Sequence, residues 1–319
     1  MIRDKELILY STPIERFTNK GIFLIAVLYF GSLVFAAILS PLFFQLVHAL
    51  DPDTSSYLAN KPFPDYFERA RLLFVVILLP ILFVKCGLTT KTAIGFKKPG
   101  FKVFATWVLY GIGMMTAIYG LYFILDTIAP KENWTISRQI EKFAVAAFGA
   151  FVIALIEESF FRGLVFRAFY SAVRPRFAIL LSSMFFAMLH FKMGDEPLSS
   201  LSPEKIGIDD GFHGAWLTLT AFTDGFNALQ FINLTLVGIL LHQSFMITKN
   251  LWSCIGMHMG WVFIILGLSK TFNETPNANH FTGTERVLDG YWVGVVMLLF
   301  IFVFAAKQRK ISQKHPLSA

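Results

Sequence analysis

Three places in the 319-residue chain set ionisable side chains among apolar ones. Ile156-Glu157-Glu158-Ser159-Phe160-Phe161-Arg162-Gly163 puts two carboxylates and a guanidinium into one apolar run. Phe185-Phe186-Ala187-Met188-Leu189-His190 ends a second run in an imidazole, and Ile255-Gly256-Met257-His258 buries another in a third. Ionisable groups inside membrane helices are costly, which makes them functional candidates. Neighbouring residues on a helix project about 100° apart, so Glu157 and Glu158 face different directions. Glu158 and Arg162 stand at i, i+4 with the acid first, the favourable order for an ion pair. Glu157 has Ile153, Phe160 and Phe161 on its own face, so its partner has to come from another helix, and His190 or His258 can supply it. A glutamate that takes a proton from water, beside an imidazole that polarises a carbonyl or holds an oxyanion, is a peptide-hydrolysing arrangement. A buried ion-pair cluster that joins helices, or an ion or proton path, would use the same residue types.

The elements that carry these groups are membrane helices. The chain is 55% hydrophobic and 15% charged, with a mean hydropathy of +0.60 and 36 phenylalanines, which excludes an ordinary water-soluble enzyme. A helix crossing the hydrocarbon layer needs about 20 largely apolar residues. Charge-free runs at 22–50, 103–125, 225–248 and 251–269 meet that length, and 290–306 ends in Lys307, Arg309 and Lys310 as a membrane exit should. Weaker runs at 72–84, 143–169 and 177–191 contain Pro80 or are bounded or interrupted by ionisable groups. The expected fold is all-α and polytopic, with about eight transmembrane helices around an intramembrane polar cavity. It is read as a single transmembrane domain over 1–319 with a motif-bearing core at 143–268.

Eight spans put both termini on one side, with 17 basic against 3 acidic groups there and 10 basic against 16 acidic on the other. The positive-inside rule makes the first side cytoplasmic. The net charge of +7 is thereby explained by orientation; no clustered basic patch for nucleic acid is present. The first apolar run lacks a cleavage site and reads as a retained helix. The longest loop, 192–224, is acidic, and its stretch from Phe212 to Phe222 reads as an interfacial or re-entrant piece. Asn133 and Asn273 open glycosylation triplets, a pattern common by chance.

Cys86 and Cys254 are far apart and read as two buried thiols, not a disulfide. HExxH, GxSG and GxGD signatures are absent. Asp195 reads as solvated loop charge, and His48, His213 and His242 as interfacial or packed histidines.

With these residues in view, the chain resembles the CPBP intramembrane proteases, which include the type II CAAX prenyl endopeptidases and the bacterial Abi-type proteins. Glu157 to Arg162 matches EExxxR, Phe186 to His190 matches FxxxH, and Asn250 to His258 resembles the segment carrying the family's third motif histidine. The resemblance implies an intramembrane endopeptidase acting on a membrane-anchored or lipidated, CAAX-like peptide in the lipid bilayer. Glu157 would activate water, Glu158 with Arg162 would hold the helix geometry or assist, and His190 would stay close to that water. His258 would stabilise the oxyanion, with Phe186 in support. Members are often called metalloproteases, and Glu157, His190 and His258 could ligate zinc with an open fourth position; the expectation is that no cofactor is needed. One departure stands out. The family usually places Asn or Asp four residues after the last histidine, where this chain has Val262. Loss of an oxyanion donor typically costs about 10²–10³ in rate, so Asn233 or Asn250 would have to substitute, or the histidine suffices alone, or this member is a non-catalytic scaffold or immunity-type protein.

Overall fold

The computed structural model describes residues 18–51, 53, 55–131, 135–191, 198, 202–283 and 287–314; Asn133 and Asp195 lie outside them. Each of the eight apolar runs is a helix. They are α1 (Thr18–Leu50), α2 (Phe63–Lys85), α4 (Gly100–Ile124), a long helix from Ile136 to Ala172, α7 (Pro175–Met188), α9 (Ala228–Thr248), α10 (Leu251–Ser269) and α11 (Tyr291–Lys314). The long helix consists of α5 (Ile136–Phe160), a π-turn (Phe161–Val165) and α6 (Phe166–Ala172). Two further helices, α3 (Lys91–Ile94) and α8 (Ile208–Asp224), fall between the runs. A two-stranded antiparallel ribbon pairs β1 (Ile128–Pro130) with β2 (Phe272–Glu274), where Asn273 is exposed.

Among the described residues, six helices are long and apolar enough to cross a membrane: Gly21–Leu50, Gly100–Ile124, Ile136–Ala172, Ala228–Thr248, Leu251–Ser269 and Tyr291–Gln308. The other two differ for physical reasons. α2 carries Asp65, Glu68, Arg69 and Arg71 in its first half. α7 has 14 residues, about 21 Å of helix at 1.5 Å per residue, against a hydrocarbon layer of about 30 Å. The chain is an all-helical, polytopic integral membrane protein.

The described residues gather into two compact units. One comes from Leu88–Ala187 and Asn227–Ala319, the other from Arg16–Gly87 and Met188–Phe226, so the 143–268 core is divided between them. In the second unit α1 packs against α2 and α8 around Leu33, Ala37, Phe44, Phe63, Phe67 and Ala215. In the first, α10 packs against α4 and α5, and α9 against α11. Cys86 and Cys254 form no disulfide; Cys254 is buried as expected, while Cys86 is half-buried.

Candidate active site

The α5 sequence explains why one of two adjacent glutamates is enclosed. Ala146, Ala150 and Ala154 recur every four residues and are buried, and the next step on that stripe is Glu158, with a side chain 0% exposed. Arg162 comes one turn later. Glu157 is turned about 100° off the stripe, and its side chain keeps 31% of its exposure.

Small residues also aim His258. Gly256 and Gly260 form a GxxxG face on α10, and a Cβ at Gly256 would run into the Phe104 carbonyl of α4. At Gly260 it would stand 2.6 Å from the Val108 oxygen. Such close backbone approach is how membrane helices associate. His258 stands two residues beyond Gly256, about 200° around the helix, so the face opposite α4 delivers it to α5. There its Nδ1–H donates to Glu158 Oε1 at 2.8 Å.

Glu158 therefore serves two partners. Arg162 Nη1 lies 2.9 Å from its Oε2 and 3.0 Å from its Oε1. Arg162 Nη2 donates to the Gly238 carbonyl of α9 at 3.0 Å, and the His242 Nδ1–H donates to the same oxygen at 2.9 Å. A Cβ at Gly238 would lie 2.8 Å from that of Ser183 on α7, so glycine lets α9 and α7 close over the guanidinium. The π-turn also contributes. Phe166 N–H bonds to the Phe161 carbonyl, five residues back, and the added residue rotates the next helical turn, so that Phe166 lies against the His242 ring and Arg167 reaches the Ala93 and Ile94 carbonyls. π-turns recur at functional sites.

With Nδ1 committed to Glu158, His258 turns Nε2 toward Glu157, 4.0 Å from Oε2. Phe186 closes one side, its ring centroid 6.1 Å from that of His258 and 5.5 Å from the Arg162 guanidinium carbon. The first unit thus brings Glu157, Glu158, Arg162, Phe186 and His258 together. His190 belongs to the second unit, partly buried in a turn two residues past α7. Sequence reasoning offers His190 or His258 as the partner of Glu157 and leaves Glu158 satisfied by Arg162, whereas His258 bonds Glu158 directly. It also misses the Gly238 carbonyl and the His242 that shares it; their i, i+4 spacing on one apolar helix is the available signal.

Neither candidate oxyanion amide stands at this cluster. The Asn233 amide donates to the Leu288 and Gly290 carbonyls, both at 2.9 Å. Asn250 caps α10 and bridges to Lys97. Among the described residues, no three His, Cys, Asp or Glu side chains gather as a metal ligand set; within the first unit, the Glu157 carboxylate and the His258 Nε2 that faces it are the two groups a metal could use.

Residues 139–264 match the family model described as Type II CAAX prenyl endopeptidase Rce1-like. No curated protein and no solved structure matches the chain. The matched segment runs from α5 into α10 and holds Glu157, Glu158, Arg162, Phe186, His190 and His258. Over this segment, with its ordered motifs on membrane helices, the chain is similar to the type II CAAX prenyl endopeptidases.

Proposed function

We propose that the protein hydrolyses a peptide bond in a membrane-anchored or lipidated, CAAX-like substrate, with Glu157 as the base that activates water. The observation that carries this reading is the contrast at Glu157: its side chain is partly open, with one buried oxygen facing a histidine nitrogen across 4.0 Å, while its neighbour Glu158 is fully enclosed and committed. The nucleophile in this reading is a water admitted from the exposed side of the Glu157 side chain. Glu157 takes a proton from that water as the hydroxide adds to the scissile carbonyl carbon. His258, held by Glu158, stabilises the oxyanion that forms. The intermediate collapses by breaking the C–N bond, and Glu157 returns the proton to the leaving amine. His190, four residues beyond Phe186 in FxxxH, is a further candidate by its motif position alone. We place both termini in the cytoplasm, supported by the asymmetry of basic groups.

Glu157→Gln keeps size and polarity but cannot accept the proton. Turnover of a prenylated or lipid-anchored reporter peptide in proteoliposomes should fall by about 10²–10⁴, with unfolding unchanged. Retained turnover overturns the assignment. Activity should also survive 1,10-phenanthroline; its loss would restore the zinc reading. One observation favours a non-catalytic scaffold instead: Val262, one turn beyond His258, offers no donor, and Asn233 and Asn250 are occupied elsewhere. On that reading Glu157→Gln and His190→Ala both keep the biological activity.

A further inference from the structure

α8 falls outside the six helices long and apolar enough to cross a membrane, since it has 17 residues and opens with Asp209 and Asp210. We propose that α8 is nonetheless embedded in the bilayer as a re-entrant helix whose outer stripe faces lipid acyl chains. Three observations within the second unit carry this.

The first is depth. The Gln45 side-chain amide donates to the Ile206 carbonyl just before α8, and Gly211 lies against Ala37. While α8 advances five residues, its contact on α1 moves back eight, about 12 Å along that span. α8 therefore runs inward from the side at which α1 ends. From Gly211 to Asp224 it continues for about another 20 Å.

The second is the contact itself. Pro41 has no N–H, so the Ala37 carbonyl, four residues back inside a membrane helix, loses its helical donor. In hydrocarbon a freed carbonyl has to be covered by protein. Gly211 covers it, packed so closely that a Cβ there would overlap the Ala37 oxygen. A glycine backbone offers Cα–H groups to such an oxygen, and no other residue would fit.

The third is the opposite face. Gly211, Gly214, Ala215, Thr218 and Ala221 are turned inward, while Ile208, Phe212, Trp216 and Leu219 are turned outward at 47%, 48%, 62% and 40% exposure. α1, the span α8 packs on, likewise exposes Phe30, Val34 and Ile38 in the stretch around the Ala37 contact. Between Asp210 and Asp224 the one ionisable residue is His213. Large apolar side chains outside and small ones inside are the reverse of a soluble helix and suit lipid.

The test places single spin labels at Phe212→Cys, Trp216→Cys and Leu219→Cys in the full chain carrying Cys86→Ala and Cys254→Ala. The protein is reconstituted in phosphatidylethanolamine–phosphatidylglycerol vesicles, with Val34→Cys on α1 as reference. All three labels should collide with dissolved oxygen and exclude a water-soluble nickel chelate, as Val34→Cys does. Collision with nickel would make α8 an aqueous lid and overturn the proposal. Exclusion of both reagents would mean that protein covers the stripe, a second copy or a substrate helix, and would overturn it equally. The otherwise native chain gives a label-free check: lipids brominated on their acyl chains should quench tryptophan emission, and Trp216→Phe should remove part of that quenching. Neither readout depends on peptide hydrolysis.

Discussion

Between α1 and α2 the enclosed residues are Leu33, Phe44, Phe63, Phe67 and Ala70, with Tyr66 sending its hydroxyl to the Leu58 carbonyl. Between α5 and α10 the enclosed small residues are Ala146, Ala150 and Ala154 of α5 and Gly267, which packs on Phe143, and beside them Glu158, Arg162 and His258 are enclosed. The first arrangement is held by shape and has no group that fails if a neighbour is lost. The second holds charges that are tolerable only as a set, because an ion left alone in a low-dielectric interior is penalised by several kcal/mol. Enclosing the Glu158 set is what orients His258, so the costly arrangement is the one beside the proposed chemistry.

Removing one member of each arrangement tests that contrast. Arg162→Leu leaves Glu158 enclosed without its cation and should cost about 3–5 kcal/mol. Phe67→Ala in the second unit should cost a similar amount, about 3–5 kcal/mol, by opening a cavity. The two separate on the second substitution. Adding Glu158→Leu to Arg162→Leu should recover part of the lost stability, since replacing a whole buried pair by apolar residues is often neutral. No polar-for-apolar partner change recovers Phe67→Ala. Unfolding in mixed detergent micelles measures all four chains. A loss at Arg162→Leu below that of an ordinary surface change would mean the charges are not enclosed as a set.

A smaller effect belongs to the glycines that allow the α10 approach. A Cβ at Gly111 on α4 would overlap the Met257 carbonyl, next to His258. Gly111→Ala should cost about 1–3 kcal/mol by overpacking, and with the base in place it should lower turnover beyond that loss, because α10 shifts against α5. Comparing reporter turnover with the unfolding midpoint separates the two; turnover that simply tracks folded protein would show that helix spacing is not what sets His258.

Much of this is legible in the sequence because it depends on local spacing. The i, i+4 relation of Glu158 and Arg162, the separate direction of Glu157 and the apolar runs come from helix periodicity alone. The hidden part depends on the partner helix. The Glu158–His258 bond joins residues a hundred positions apart, and the Gly238 carbonyl is a backbone acceptor that no residue type announces. The π-turn shifts the phase of one helix without changing its composition. α2 and α7 count as spans by apolar run, yet the α2 charges and the α7 length set them apart once their ends are fixed. Hydropathy splits α8 into loop and apolar stretch because Asp209, Asp210, its glycines and its threonines lower its average.

The smallest effect lies outside the membrane, where a carboxylate is held by a turn and not by burial. Asp51 comes directly after the last residue of α1, and its oxygens accept from the Ser56 N–H at 2.6 Å, the Ser55 hydroxyl at 2.8 Å and the Ser55 N–H at 3.1 Å. The Ser56 donors, then those of Ser55, hold its carboxyl well below the usual carboxylate range. A lowered folded-state pKa means that the contribution is fully present above the unfolded value of about 3.9 and is lost as pH falls through the folded one. Amide exchange at Ser55 and Ser56, referenced to intrinsic rates, should therefore show constant protection from neutral pH down to about 4 and weaken in stronger acid. Asp51→Asn should weaken that protection at neutral pH and remove the acid dependence, leaving α1 and the Glu158 cluster untouched. An acid limb that persists in Asp51→Asn would locate the titrating group elsewhere. Unlike Glu158, Asp51 can lose its partners to water, which is why its removal stays local.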